Sequence, residues 1–150
     1  MNDELINELK MVVASLVTFK FKAHGYHWNV EGPDFRQYHD FFGEIYSDVE
    51  ESIDTHAENI LKLGGKAPYR LTRFTELSIV KESDVSTDPA VLCQDLLADN
   101  ETVIEFLMAV FDTANTTRQQ GVANYVAERI DAHQKWSWQL RASITNTAGI

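Results

Sequence analysis

The stretch that decides the fold is HWNVEGPDFRQYH, residues 27–39, because it joins two long helical patterns through a short turn. Apolar side chains recur at helical spacing over residues 2–29 and again over residues 34–63. Gly32 and Pro33 stand between the two segments, with Pro33 in the first-turn position that proline favours. The first apolar face is Leu5, Leu9, Val12, Leu16, Phe19, Ala23 and then His27, and the second is Phe42, Ile45, Val49, Ile53 and Ile60. The sequence therefore predicts an antiparallel helical hairpin.

The rest of the chain predicts two further long helices and one long connection. Gly64 and Gly65 end the second helix as a left-handed C-cap would, and Asp88-Pro89 has the residue types of an N-cap and a first turn. The predicted segments are a connection over 66–88 with a short helix around 72–82, a third helix to about 115, and a fourth from about 117 to 145. Four long helices with one long crossover predict an all-α fold, a ferritin-like four-helix bundle, in a single domain over residues 1–150.

Composition and charge restrict the class of protein. Apolar residues make up 44% of the 150 residues, which is typical of a globular domain. No apolar run approaches the roughly 20 residues of a membrane helix. The acidic start of the chain and its single cysteine, Cys93, favour a reducing, cytoplasmic location and exclude an internal disulfide or a cysteine-rich metal site. Since the net charge is −10 and no basic tail is present, DNA binding is not expected.

Two segments carry side chains that bind metals. His27 and His39 are equally far from the hairpin turn on adjacent helices, so their rings are expected at one level. Asp54 and Glu58 are one helical turn apart and share a face of the second helix. Imidazole and carboxylate form the ligand set of non-haem iron, and zinc and manganese also accept it. Taken alone, the two carboxylates belong to a solvated acidic face of the second helix, which could also collect cations.

Distance separates the two pairs within one chain. His39 and Asp54 lie on the same helix, roughly 22 Å apart at a rise of about 1.5 Å per residue, whereas a metal–ligand bond is about 2 Å long. No Glu in the chain has His three residues later, so the usual di-iron motif inside the bundle is absent from the sequence. Either there is no di-iron site, or a site is assembled between subunits across a two-fold axis.

These motifs resemble those of the Dps-type mini-ferritins, the DNA-binding proteins from starved cells. The matching stretches are His27-Trp28-Asn29-Val30-Glu31-Gly32-Pro33-Asp34-Phe35 to His39, Asp54 to Glu58, Leu63-Gly64-Gly65, His133-Gln134-Lys135 and Trp138-Gln139-Leu140-Arg141-Ala142. The resemblance extends over nearly the whole chain. It implies a homo-oligomeric shell of twelve subunits with tetrahedral symmetry, which oxidises Fe(II), preferably with hydrogen peroxide, and stores ferric iron inside.

The resemblance also assigns roles to individual residues. The implied ferroxidase site lies at a dimer interface and holds one or two iron ions, or zinc as a substitute. Its ligands would be His27 and His39 of one subunit with Asp54 and Glu58 of the other.

Further roles concern the surroundings of that site. Trp28 would quench radicals, although simple packing at the helix end is an equally good interpretation. Many relatives have Asp four residues after the second histidine, where this chain has Gly43. A second iron ion would therefore be held weakly, or would take its ligand from Glu44 or water. The acidic residues that would nucleate mineral, or merely form a solvated face, are Asp40, Glu44 and Asp48.

Two other functions stay open on the sequence. One is a DNA-compacting structural shell of the same fold, against which the net charge counts. The other is a metal-binding shell without ferroxidase activity, whose site has decayed or holds zinc. The remaining histidines, His24, His56 and His133, are interpreted as packed in the fold or directed away from the site.

Overall fold

The computed structural model describes residues 2–145, most of which are helical. Its helices are α1 (Asp3–Asn29), α2 (Phe35–Lys62), α3 (Leu71–Leu77), α4 (Pro89–Thr116) and α5 (Gln120–Ile144). No strand occurs within residues 2–145, and no helix of that range has the length and apolar character needed to cross a membrane. The all-α class and the short helix between the second and third long helices are confirmed. Of the expected domain, Met1 and residues 146–150 lie outside the described residues.

Two antiparallel hairpins make up the bundle. α1 packs along α2 and α4 packs along α5, while contacts between α1 and α4 join the two hairpins. The apolar faces close on one core, to which each long helix gives a fully buried side chain: Phe19, Phe42, Leu96 and Leu140. Burying a side chain of this size stabilises the fold by roughly 1.5–3 kcal/mol. The predicted four-helix bundle is confirmed, and its shared core holds the helices in register.

The turn between α1 and α2 depends on Gly32, whose φ of +128° lies in the left-handed region that favours glycine. The Glu31 N–H donates to the Thr87 carbonyl at 2.9 Å, which ties the turn to the start of α4. Because the Phe35 N–H donates to the Gly32 carbonyl at 3.1 Å, a separate turn precedes the helix. The expectation that Pro33 lies in the first turn of α2 is therefore wrong, since α2 begins at Phe35.

The connection between α2 and α4 contains a shorter helix than the sequence predicts. α3 covers Leu71–Leu77, so the predicted end at residue 82 is wrong. The chain turns extended at Ser78, with φ −69° and ψ 132°, and the next N–H, of Ile79, donates to the Ser15 hydroxyl at 3.0 Å. This bond to α1 replaces the helical one, which explains why the helix stops early.

Three other helix ends depend on local signals, of which the sequence predicted two correctly. Gly64 follows α2 with a φ of +93°, as the predicted left-handed C-cap requires. The Asp88 side chain accepts a hydrogen bond from the Ala90 N–H at 3.0 Å, which confirms the N-cap of α4. α5 begins at Gln120, later than residue 117, because Arg118 adopts a φ of +64° that interrupts helical geometry.

Candidate metal centre

His27 and His39 lie side by side across the α1–α2 hairpin. Their rings stack with centroids 3.7 Å apart and planes 17° from parallel. The His27 Nδ1 is 2.5 Å from the His39 carbonyl oxygen, and the His39 Nδ1 is 2.6 Å from the His27 carbonyl oxygen. A carbonyl only accepts, so each Nδ1 must carry the proton. Each Nε2 then has a lone pair that can bind a metal. Metal-binding histidines ordinarily donate a hydrogen bond from their other ring nitrogen in the same way.

Gly43 provides the space that the His27 ring occupies. A Cβ at Gly43 would lie 2.9 Å from the His27 Nδ1 and 3.0 Å from Cε1, closer than side-chain carbons ordinarily approach. Any side chain here would push the ring away from the α2 backbone and weaken its hydrogen bond. The absence of a side chain has a second effect, because no carboxylate stands at this position to bind a further cation.

The carboxylates Asp54 and Glu58 lie apart from the histidine pair. Both are exposed on α2, one turn from each other and about four and five turns beyond His39. Within residues 2–145 of a single chain, no group of three or more His, Cys, Asp or Glu side chains is placed to hold a metal ion. One chain thus offers two half-sites: the histidine half-site, His27 and His39, and the carboxylate half-site, Asp54 and Glu58.

The acidic residues of α2 divide into two environments. Asp40 and Glu44 are exposed. Asp48 is partly buried and accepts two hydrogen bonds from Arg129, at 3.0 and 2.8 Å, and one from the Trp136 indole at 2.7 Å. Burial raises the pKa of Asp48, but these hydrogen bonds outweigh burial and the pKa is lowered overall. Asp48 is therefore a carboxylate whose charge Arg129 already neutralises.

Comparison with known proteins agrees with this architecture. A family model described as a ferritin-like domain matches residues 6–150. The chain belongs to the ferritin-like family. Within that family it groups with the Dps-type mini-ferritins, as its relatives and structural neighbours indicate.

Three of these similar proteins illustrate the relationship. DNA protection during starvation protein 2 of Bacillus anthracis is 28% identical, over 95% of this chain and 97% of that protein. An uncharacterized low temperature-induced protein of Nostoc is 32% identical, over 93% of this chain and 79% of that protein. The Dps protein from Vibrio cholerae, a member of the ferritin-like diiron-carboxylate superfamily, matches with a TM-score of 0.93 and 27% identity, covering 96% of this chain and 91% of that one.

The histidine half-site of this mini-ferritin is surrounded by aromatic rings. Phe35 stacks on His39 with ring centroids 5.1 Å apart. On the other side, the rings of His24 and His27 are 6.1 Å apart. Trp28 is 64% exposed and packs against His24 at 4.0 Å. His24 is thus packed among rings, as the sequence interpretation expected, but it belongs to the surroundings of the half-site rather than to the core.

Two histidines are buried inside the bundle, where the usual ferritin-like di-iron motif is absent from this sequence. His133 is fully buried, and its Nδ1 pairs with the Asn100 side-chain oxygen at 2.6 Å. His56 is also fully buried, and neither of its ring nitrogens has a hydrogen-bond partner among residues 2–145. Burial, reinforced by the charge of Arg129, lowers the pKa of each histidine to about 3. Both are therefore neutral core residues at neutral pH. As the sequence interpretation expected, neither belongs to a half-site of this chain.

Proposed function

We propose that this chain is the subunit of an iron-storing mini-ferritin that oxidises Fe(II) at sites between subunits. The observation that carries the proposal is the reciprocal hydrogen bonding of His27 and His39. It leaves the Nε2 of each of the two stacked rings with a lone pair, and together these are half of a ligand set for a divalent cation. The family membership supports iron as the cation that the protein handles.

The other half of the ligand set would come from a second subunit. A two-fold axis that relates two hairpins in opposite directions brings the histidine half-site of one subunit to the carboxylate half-site of its partner. Each dimer then has two equivalent sites, and each site has two imidazole nitrogens and two carboxylates. Fe(II) accepts this set of nitrogen and oxygen ligands, and zinc would substitute for it.

Hydrogen peroxide is the preferred oxidant in this proposal, on the basis of the family resemblance. It accepts two electrons and two protons and yields two waters, so one molecule oxidises two Fe(II) ions to Fe(III). Trp28, exposed beside the half-site, would donate an electron to radicals that escape this reaction. The ferric product would collect inside a shell of twelve subunits, where Asp40 and Glu44 offer exposed carboxylates for mineral nucleation. Asp48 has its charge occupied by Arg129, so its part in nucleation would be the smallest of the three.

The competing functions make different demands on the chain. A DNA-compacting shell needs exposed Lys and Arg to displace counterions from phosphate, yet acidic residues outnumber basic ones by 23 to 13. A metal shell without ferroxidase activity would bind Fe(II) or zinc but would not accelerate oxidation. We propose a cytoplasmic location, because the single cysteine, Cys93, is a free thiol, which fits a reducing compartment.

Stopped-flow absorbance of Fe(III) formation tests the proposal. The wild type should oxidise Fe(II) faster with peroxide than with oxygen, and the double variant Asp54→Ala/Glu58→Ala should lose most of this rate. The matched control is Glu101→Ala/Glu105→Ala, an exposed carboxylate pair with the same spacing on α4, which should keep it. Equal rates for the two double variants would contradict the proposal. Light scattering should give a mass near twelve subunits, and a stable 17.1 kDa species would contradict the shell.

A further inference from the structure

A stack of aromatic rings leads from the histidine half-site to Tyr46. The His24 ring lies 6.1 Å from the His27 ring, centroid to centroid. The Tyr46 ring stacks on His24 at 3.8 Å, with planes 20° from parallel. His24 therefore lies between the histidine half-site and a tyrosine on α2, stacked on Tyr46 and 6.1 Å from His27.

The hydroxyl of Tyr46 has a base beside it. A hydrogen bond to Glu50 raises the pKa of Tyr46, so the phenol keeps its proton at neutral pH. Glu50 also pairs with the Lys20 Nζ at 3.1 Å, and this hydrogen bond lowers the pKa of Glu50 and keeps it a carboxylate. A phenol that can pass its proton to a neighbouring carboxylate loses an electron more easily, because no phenol cation has to form. Tyr46 thus has both an electron path and a proton acceptor.

The other four tyrosines lack this combination within residues 2–145. Tyr26 and Tyr38 contact Phe42, Tyr125 contacts His56, and Tyr69 is 88% exposed. The hydroxyl of Tyr26 bonds to Asp95 and Ser83 in a cluster between α1, α4 and the connection, away from the half-site.

The reduction of peroxide at a site with one Fe(II) ion needs a second electron donor. This step rests on the proposed function, in which peroxide oxidises Fe(II) at the histidine half-site. Peroxide takes two electrons on its way to water, whereas one Fe(II) ion supplies one. Gly43 contributes no carboxylate that could hold a second Fe(II) ion beside the first. A peroxide molecule that reacts with a single ion therefore lacks one electron, and hydroxyl radical is the product when none is supplied.

We propose that Tyr46 supplies the missing electron through His24 while its phenolic proton passes to Glu50. Hydrogen peroxide, one Fe(II) ion, the Tyr46 phenol, the Glu50 carboxylate and two solvent protons give Fe(III), a neutral Tyr46 radical, protonated Glu50 and two waters. A second Fe(II) ion then reduces the radical, and Glu50 returns the proton to the phenol. Two Fe(II) ions are consumed for each peroxide, although only one is bound at a time.

Rapid-freeze EPR on the assembled protein tests this proposal. Wild-type shells with one Fe(II) per subunit are mixed with one equivalent of hydrogen peroxide, and Fe(III) formation is followed by absorbance in the same samples. We expect a transient tyrosyl signal, identified by its change when ring-deuterated tyrosine is incorporated. Tyr46→Phe keeps the ring that stacks on His24 and removes only the hydroxyl, so it should fold, oxidise iron, lose the tyrosyl signal and release more spin-trapped hydroxyl radical. Tyr69→Phe is the matched control and should behave as the wild type.

The outcomes separate this inference from the proposed function. Failure of the wild type to oxidise Fe(II) with peroxide would reject the proposed function itself. Iron oxidation without a tyrosyl signal, or with a signal that persists in Tyr46→Phe, would reject the role of Tyr46 alone. A radical that is lost in Trp28→Phe but kept in Tyr46→Phe would place the electron donor at Trp28 and would also reject the inference. Glu50→Gln should lower the tyrosyl yield, and an unchanged yield would remove Glu50 from the step.

Discussion

His27 and His39 hold each other in place through the backbone, since each Nδ1 hydrogen-bonds to the carbonyl oxygen of the other residue. The orientation of both rings is therefore set by the packing of α1 on α2, before any metal arrives. Preorganised ligands bind with less loss of side-chain freedom than mobile ones do. The histidine half-site is thus built on the helix–helix contact of the hairpin.

Gly43→Ala should weaken metal binding even though alanine favours helices. Replacing Gly by Ala inside a helix ordinarily stabilises it by roughly 0.5–1 kcal/mol. Here the new Cβ would displace the His27 ring from a position 2.9 Å away and break its bond to the His39 carbonyl. Loss of such an orienting hydrogen bond lowers metal affinity by roughly 10- to 100-fold. Titration with Co(II), followed by its visible absorption, measures both the affinity and the change in ligands.

Gly121→Ala provides the control for that experiment. Gly121 lies in the first turn of α5, and a Cβ there would meet nothing within 4 Å. This variant should bind Co(II) as the wild type does. Equal affinities for Gly43→Ala and the wild type would show that His27 does not need the space beside Gly43.

His56→Leu should make the protein less sensitive to acid. The pKa of His56 is lowered from 6.5 to about 3 by burial, so the unfolded chain takes up its proton well before the folded chain does. Its contribution to stability is therefore complete above pH 6.5 and declines as the pH falls towards 3, by up to about 1.4 kcal/mol per pH unit. The difference in melting temperature between variant and wild type should shift in favour of the variant from pH 7 to pH 5. A difference that stays constant over this range would contradict the assignment.

Asp48→Asn should destabilise the bundle, whereas Asp40→Asn and Glu44→Gln should not. The first change leaves the buried Arg129 guanidinium without its carboxylate, which costs roughly 1–3 kcal/mol. The other two act on exposed side chains and should slow only the growth of the ferric core. Thermal unfolding and the late phase of Fe(III) absorbance measure the two effects. Equal melting temperatures for all three variants would show that the Asp48–Arg129 pair does not stabilise the fold.

DNA should not be retained at neutral pH and physiological salt. Binding to phosphate depends on Lys and Arg, and this chain has 13 of them against 23 acidic residues. A gel shift at micromolar protein checks this expectation, and retarded DNA that is released at higher salt would refute it.

The sequence predicted the parts of the fold and site that depend on local pattern. Apolar periodicity was sufficient to predict the four long helices. The equal distance of His27 and His39 from the turn was sufficient to predict that their rings lie together. The prediction for Pro33 was wrong because a turn closed by the Phe35 N–H and the Gly32 carbonyl precedes α2. The predicted end of α3 was wrong because a long-range hydrogen bond, from the Ile79 N–H to the Ser15 hydroxyl, ends that helix. Such bonds have no signature in the local sequence.

Other features of the site could be found only in three dimensions. Arg129 is 81 residues from Asp48 in the chain, so a helical wheel assigned Asp48 to a solvated stripe. The stack of Tyr46 on His24 has a signal in the sequence, since the two residues are nearly level in the hairpin, but ring contact depends on side-chain rotamers. The pairing of the two half-sites between subunits stays a prediction, because one chain contains no partner to test it.

Complementation of two inactive variants measures that pairing directly. A His27→Ala/His39→Ala chain cannot build a site with its own copies, and neither can an Asp54→Ala/Glu58→Ala chain. In a dimer that contains one chain of each kind, one of the two sites has all four ligands and the other has none. Ferroxidase activity should therefore return in mixed shells, up to about half of the wild-type rate per mixed dimer by the two-fold symmetry of the sites. Mass spectrometry must show that the shells are mixed, and shells proven to be mixed that show no recovery would contradict an intersubunit site.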